Sequence, residues 1–166
     1  MQFTETTLPG MFVIDADVFE DERGSFEAPW QREVLDGRGL ETGLAQANLA
    51  TSRQRGTIRG MHFQAAPFEG VKLVRVIRGA AFDVAVDLRP SSPTFRQWHG
   101  VELSAANRRL VYVPRGFAHG YQTLVDDTHV LYFVSATFAP EAQRGVRWND
   151  RAFDIAWPLG DPSVIS

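Results

Sequence analysis

Three features of the sequence predict an all-β fold, a sandwich or jelly roll of two antiparallel sheets with minimal helix. Short runs rich in β-branched and aromatic residues recur along all 166 residues, and about ten of them have the length of a strand. Turn-forming residues separate these runs, since the chain contains 14 Gly and 9 Pro. Only residues 30–35 suggest a helix, which would end near Gly37. The length suits one domain, residues 1–166, with a full core.

The predicted elements follow one another in a regular order. Residues 12–19 alternate between two sets of side chains, as a strand does, and residues 21–24 form a turn. Arg78-Gly79 predicts a tight hairpin, and Pro90 and Pro93 exclude sheet and helix from the loop that contains them. The remaining strands are predicted over residues 44–50, 57–64, 71–78, 81–88, 97–103, 110–113, 121–124 and 129–137.

Composition and charge exclude several functional classes. The formal net charge is −3 without a run of five like charges, so neither a nucleic acid nor a membrane surface is an expected partner. With 0 Cys, the chain has no disulfide framework and no thiolate metal site. The first residues lack the apolar segment of a signal peptide, and no run is long and apolar enough to span a membrane. We therefore expect a cytoplasmic protein.

Three polar side chains lie in or beside apolar runs within fourteen positions. Arg59 and His62 belong to one predicted strand and Lys72 to the next. Taken alone, His62 is more often a satisfied core histidine than a catalyst. A buried Arg and Lys facing the same interior, however, would be costly without an anionic partner. A base beside fixed positive charge is what proton removal next to a carbonyl requires, and Gln64 would face the same pocket.

Two further candidates lie nearer the C-terminus. Gly116 and Gly120 flank Phe-Ala-His and predict a sharp turn that presents His119, which would otherwise be a surface histidine. Tyr132 alternates with valines in a strand. Such a buried tyrosine usually bonds a backbone group, but across a cavity from His62 it could donate a proton.

Ordered matches along nearly the whole chain then identify a family. They are Asp21-Glu22-Arg23-Gly24-Ser25-Phe26, Gln46-Ala47-Asn48, Arg59-Gly60-Met61-His62, Lys72-Leu73-Val74, Asp83-Val84-Ala85-Val86-Asp87, Ser92-Pro93-Thr94, Gly116-Phe117-Ala118-His119-Gly120, Trp148-Asn149-Asp150 and Trp157-Pro158. With these residues the chain resembles the dTDP-4-dehydrorhamnose 3,5-epimerases. The resemblance implies a cupin-type jelly roll that acts on a nucleotide-diphosphate-linked 4-keto-6-deoxysugar. It also implies no metal or other cofactor, and a homodimer whose N-terminal strands reach the partner's site.

The resemblance implies a role for each matching position. His62 matches the general base, Tyr132 the general acid, and Lys72 the lysine near the keto oxygen. The resemblance also implies that Arg23, Arg59 and His119 bind the diphosphate and sugar, and that Gln46 and Asn48 contact the nucleotide. Arg23 and Phe26 would reach the partner's site. Phe138 stands where the family usually has a Tyr that stacks on the base.

Some residues depart from the family pattern and leave alternatives open. Ala28 replaces an acid, Ala50 a serine and Phe138 a tyrosine, which puts the nucleotide base in doubt. Three other functions are therefore weighed. They are a C3-only or a CDP- or GDP-linked sugar epimerase, a non-catalytic nucleotide-sugar-binding cupin, and a metal-dependent cupin. The last is disfavoured because the acidic ligand is missing and Lys72 occupies the region.

The carboxylate that pairs with the catalytic imidazole in the family has no match before Ser166. Asp161 precedes the matching point and is a poor substitute. We expect either that the native chain continues past Ser166 and supplies an Asp, or that Asp83 orients His62 from a neighbouring strand.

Overall fold

The computed structural model describes residues 1–166 and contains two packed antiparallel sheets with a small separate hairpin. The strands are β1 Gln2–Glu5, β2 Phe12–Asp15, β3 Val18–Asp21, β4 Gly24–Glu27, β5 Gln46–Ser52, β6 Thr57–Gln64, β7 Lys72–Arg78, β8 Ala80–Asp87, β9 Trp98–Ser104, β10 Leu110–Val113, β11 Phe117–Thr123, β12 Thr128–Val134, β13 Gln143–Gly145 and β14 Val164–Ile165. Helical structure is limited to α1, Arg32–Asp36, and a 3₁₀ turn at Pro140–Ala142.

Strands distant in sequence lie side by side in each sheet. The first sheet has the order β1-β2-β10-β7-β12-β5, and the second has the order β13-β6-β11-β8-β9, with β14 parallel to β6. The inner faces of both sheets supply the main core, which includes Val74, Val76, Ala85, Leu103 and Val111. Burial of these side chains stabilises the sandwich, because each removes apolar surface from water. The architecture is the predicted all-β sandwich.

A second apolar layer covers the outer face of the second sheet. Ile58 and Met61 on β6 pack there with Val84 and Trp157, whose indole Nε1 donates to the Trp148 carbonyl at 2.8 Å. The C-terminal segment therefore closes one side of β6 and leaves its other side facing the interior.

Most predicted strands occur within one or two residues of their expected bounds. The predicted hairpin at Arg78-Gly79 joins β7 to β8, with Gly79 at φ 76° as a tight turn requires. The predicted helix is confirmed as α1, followed by Gly37. It has 5 residues, so no helix in the structure is long enough to cross a membrane.

Two expectations were wrong. Residues 12–19 do not form one strand, because β2 joins the first sheet whereas β3 leaves it and pairs with β4. The turn expected at residues 116–120 ends at Gly116, and residues 117–120 belong to β11, which is buried along its whole length. Alternation of side chains gives strand character but does not show which sheet a strand joins.

The β3–β4 hairpin stands away from both sheets. Its residues are exposed except at the end, where Glu27 contacts Arg75 of β7 at 2.5 Å. This ion pair is largely buried, and one oxygen of Glu27 and the Nε of Arg75 have no further partner. The pair therefore fixes the base of the hairpin to the first sheet.

Candidate active site

A cavity of about 380 Å³ opens between the two sheets and gathers most of the predicted site residues. Those that line it are Gln46, Asn48, Arg59, His62, Lys72, His119, Tyr132 and Phe138. They come from β5, β6, β7, β11, β12 and the segment after β12. The volume is in the range of small-molecule sites.

One wall of the cavity is formed by β6 and β11. His62 lies opposite His119 in the register, and Arg59 lies opposite Tyr121. Residues three apart would face opposite sides of a regular strand, but the pairing shifts between His119 and Tyr121. Arg59 and His62 consequently both line the cavity.

Two glycines allow this irregular pairing. A Cβ on Gly60 would lie 2.5 Å from the Cα of Gly120 and 2.9 Å from the His119 carbonyl oxygen. Gly60 also has φ 129°, a conformation that side chains disfavour. The close approach of the two backbones sets the positions of the imidazoles on either side.

His119 is held by a buried carboxylate. The ring Nε2 of His119 lies 2.9 Å from one oxygen of Asp83 and 3.1 Å from the other, and both residues are buried. The alternative in which His119 is a surface histidine is therefore wrong. Its ring orientation is fixed by Asp83 from β8, which pairs with β11.

The prediction that Asp83 orients His62 is also wrong in this structure. β11 lies between β6 and β8, so these two strands are not neighbours. His119, on the intervening strand, takes the carboxylate instead. His62 has no side-chain hydrogen-bond partner among residues 1–166, and Asp83 does not line the cavity.

The His62 imidazole is kept neutral by its surroundings. Partial burial lowers the pKa of His62, and the nearby Lys72 and His119 lower that pKa further. A neutral imidazole at neutral pH is the protonation state that a general base requires.

Lys72 is held inside the sandwich as predicted. Its Nζ donates to the His62 carbonyl at 3.3 Å. Burial lowers the pKa of Lys72 from 10.5 to about 8, and the carboxylate of Asp83 opposes this shift. Lys72 therefore remains mainly an ammonium at pH 7 and can stabilise negative charge on a ligand oxygen.

The other wall of the cavity is formed by the first sheet. Tyr132 on β12 pairs with Asn48 on β5 and with Val74 on β7. The Gln46 side-chain amide donates to the Asn48 side-chain oxygen at 2.5 Å. His62 and Tyr132 therefore come from opposite sheets and line the same space, which places an imidazole and a phenol on opposite sides of the cavity.

The structure does not bring every predicted residue to the cavity. Arg23 and Phe26 lie on the β3–β4 hairpin, outside the cavity lining. The Arg23 side chain is 85% exposed and contacts only Asp21, and Phe26 is 69% exposed. An exposed aromatic ring beside an arginine is a surface that can contact another molecule.

Two residues beside Arg59 had no assigned role in the sequence interpretation. Tyr121 lines the cavity from β11, and Ser52 accepts a hydrogen bond from Arg59 Nε at 3.1 Å. Gln64 lines the cavity as predicted, and its side-chain amide also joins loops by donating to the Phe68 and Thr137 carbonyls. The position of Tyr121 two residues after His119, in the run His119-Gly120-Tyr121, could have indicated from the sequence that this tyrosine lines the cavity.

No group of three or more His, Asp or Glu side chains is placed to hold a metal ion in residues 1–166. The cavity instead presents cationic and neutral polar groups, namely Arg59, Lys72, His62, His119 and Tyr132. Such a set suits an anionic ligand that contains a carbonyl.

A two-sheet sandwich with an imidazole, an ammonium and a phenol around one interior cavity is the arrangement of a cupin-type enzyme suited to acid–base chemistry. Comparison with known proteins gives the family. Residues 5–166 match the family model described as dTDP-4-dehydrorhamnose 3,5-epimerase. The chain belongs to this family and is an isomerase. The resemblance found in the sequence and the cupin-type fold are thereby confirmed.

Individual relatives cover nearly the whole chain. A dTDP-4-dehydrorhamnose 3,5-epimerase of Methanothermobacter thermautotrophicus is 44% identical over 99% of this chain and 89% of that protein. The crystal structure of the Bacillus anthracis enzyme, with TDP and PPi bound, has a TM-score of 0.96, 42% identity and coverage of 99% and 94% of the two chains. The Legionella pneumophila enzyme in complex with dTDP-4-keto-L-rhamnose has a TM-score of 0.93, 36% identity and coverage of 99% and 87%.

Proposed function

We propose that this chain inverts C3, C5 or both in a dTDP-linked 4-keto-6-deoxyhexose by removing and returning a proton next to the C4 ketone. The observation that carries the proposal is the shared cavity of His62, Lys72 and Tyr132. The ligands TDP and dTDP-4-keto-L-rhamnose in two relatives support the substrate class.

The chemistry follows from the protonation states. Neutral His62 removes the proton from the carbon beside the ketone, and the electrons move to the ketone oxygen as an enolate. The Lys72 ammonium stabilises that oxygen without a change of its own protonation state. Both groups belong to adjacent parts of the cavity, because Lys72 Nζ contacts the His62 backbone.

Inversion requires a proton from the opposite face. Tyr132 lies on the sheet that faces His62 and supplies this proton in the proposed reaction. Because C3 and C5 both flank C4, one pair of groups can act on either carbon. His119, fixed by Asp83, binds the sugar or the diphosphate, and Arg59, fixed by Ser52, binds the diphosphate.

The exposed hairpin suggests the assembly. We propose a homodimer in which the β3–β4 hairpin of each copy covers the other copy's cavity, so that Arg23 and Phe26 contact the ligand there. Their exposure in the single chain supports this proposal. Size-exclusion chromatography with light scattering tests it, and Phe26→Ser should weaken the dimer.

Recognition of the base is the least constrained feature of the site. Gln46 and Asn48 line the cavity from β5, and Phe138 offers a ring face that is 59% exposed. A Phe can stack on any base, so the binding preference should depend less on the thymine edge than in relatives with the full pattern. Calorimetry with dTDP, UDP, CDP and GDP measures this preference.

The reaction itself is tested by isotope exchange. The protein is incubated in deuterated water with dTDP-, CDP- and GDP-linked 4-keto-6-deoxyhexoses, and NMR follows C3 and C5 separately. We expect deuterium at one or both carbons together with inversion, and no incorporation with the His62→Ala variant. Binding of the sugar nucleotide without any exchange would refute catalysis and favour a binding protein.

A further inference from the structure

Tyr121 carries a buried hydroxyl without a partner. The residue is 4% exposed, its ring packs in the main core, and its Oη makes no hydrogen bond in the structure. A buried hydroxyl normally finds a partner, since leaving it unsatisfied costs stability. The proposed mechanism does not use this group, so its presence needs a separate explanation.

The position of Tyr121 indicates where a partner would lie. The residue lines the same cavity as Arg59 and Tyr132, and these two side chains lie close enough to influence its titration. Ser52 is near enough to lower the pKa of Tyr121, but its Oγ accepts from Arg59 at 3.1 Å and the Tyr121 Oη itself forms no hydrogen bond. The hydroxyl therefore has no hydrogen-bond partner and lies near both the proposed diphosphate-binding arginine and the proposed acid.

We propose that Tyr121 is a substrate-positioning residue whose hydroxyl donates a hydrogen bond to a hexose oxygen between the anomeric phosphate and the reacting carbon. This inference rests on the proposed function, because it assumes that the cavity holds the sugar of a nucleotide sugar. The bond would fix the hexose between His62 and Tyr132, the groups that exchange protons with it.

A donor role suits the chemistry of this phenol. Burial is the largest influence on Tyr121 and raises its pKa, which the nearby Ser52 and Arg59 lower in part and Tyr132 and Asp83 raise further. The hydroxyl therefore stays protonated across the working pH range and can donate a hydrogen bond at every pH in it. Substitution by Phe keeps the ring in the core and removes only the unsatisfied group.

The test compares two ligands on one variant. Calorimetry measures Kd for dTDP and for dTDP-glucose, which adds a hexose without a reactive ketone, using wild type and Tyr121→Phe. We expect the variant to bind dTDP-glucose about 3- to 10-fold more weakly, the range for one hydrogen bond, while its Kd for dTDP stays within about twofold. The melting temperature of the ligand-free variant should equal or exceed that of wild type, since an unsatisfied group is lost.

Tyr112→Phe is the matched control. The Tyr112 hydroxyl accepts a hydrogen bond from the Glu41 amide at 3.0 Å and does not line the cavity, so its loss should lower the melting temperature and leave both Kd values unchanged. Equal weakening of dTDP by Tyr121→Phe, or no effect on either ligand, would overturn the proposal. A Tyr121-dependent hexose effect in a protein without epimerase activity would refute the proposed function alone.

Discussion

The pH dependence of kcat/KM should identify Lys72 as the group that must be charged. The structure gives Lys72 a pKa of about 8 and gives His62 a pKa below its ordinary value of 6.5. At pH 7 about 90% of Lys72 is therefore an ammonium, while His62 is mainly neutral. The value of kcat/KM should be constant between the pKa of His62 and the pKa of Lys72, and should decline roughly 10-fold per pH unit above pH 8.

Two substitutions identify the group that causes the alkaline limb of the pH profile, the decline of kcat/KM above pH 8. In Lys72→Arg the guanidinium stays charged, so the limb near 8 should disappear although the rate falls. In Asp83→Asn the carboxylate that raises the pKa of Lys72 is lost, so the limb should move to lower pH. The amide can still bond His119, which keeps the local structure.

The assay is initial-rate kinetics of the keto sugar nucleotide from pH 5.5 to 10, with kcat/KM reporting the free enzyme. An alkaline limb that stays near 8 in Lys72→Arg would show that another group titrates there. A limb that moves upward in Asp83→Asn would contradict the assigned effect of the carboxylate. Circular dichroism at each pH excludes unfolding as the cause.

Four other predictions follow from the same structure. Lys72→Met should raise the unfolding free energy at pH 7 by roughly 1–3 kcal/mol in urea titrations, because it removes a charge that burial disfavours. This gain should shrink between pH 8 and 10.5, because in that range the lysine of the wild type is protonated in the unfolded chain and neutral in the folded chain. Tyr132→Phe should retain deuterium exchange by NMR while losing inversion, since His62 can return a proton to the original face; equal loss of both would contradict the acid role. Gly60→Ala should lower the unfolding free energy by roughly 2–4 kcal/mol, whereas Gly43→Ala, with open space around the added Cβ, should have little effect. Incubation with EDTA should leave the epimerase rate unchanged, and a loss restored by one divalent ion would refute the proposed chemistry.

The sequence predicted most of the strands because they depend on local patterns. Alternating apolar residues and turn signals mark β6, β7 and β8 closely. The cavity position of His62, Lys72 and Tyr132 could also be anticipated, since polar residues in apolar strands must face a polar space.

The features that the sequence did not predict depend on which strands become neighbours in the sheets. The partner of Asp83 was wrong because β11 inserts between β6 and β8, a long-range pairing that no local pattern specifies. Gly116 and Gly120 suggested a turn, although Gly120 lies within β11 and is required there by the close approach of Gly60. The unpaired hydroxyl of Tyr121 likewise appears only when the three-dimensional neighbours are known.

Because the proposed base and acid lie on different sheets, the distance between the two sheets sets the distance between the base and the acid. Face-to-face sheets are separated by about 10 Å, and the side chains between them set that value. In this chain Val74, Val76 and Ala85 belong to the main core, against which Tyr132 packs. Enlarging or shrinking them would change how far His62 lies from Tyr132 without touching a ligand. Selection for one reacting carbon over the other can therefore act through ordinary core residues as well as through the residues that bind the sugar.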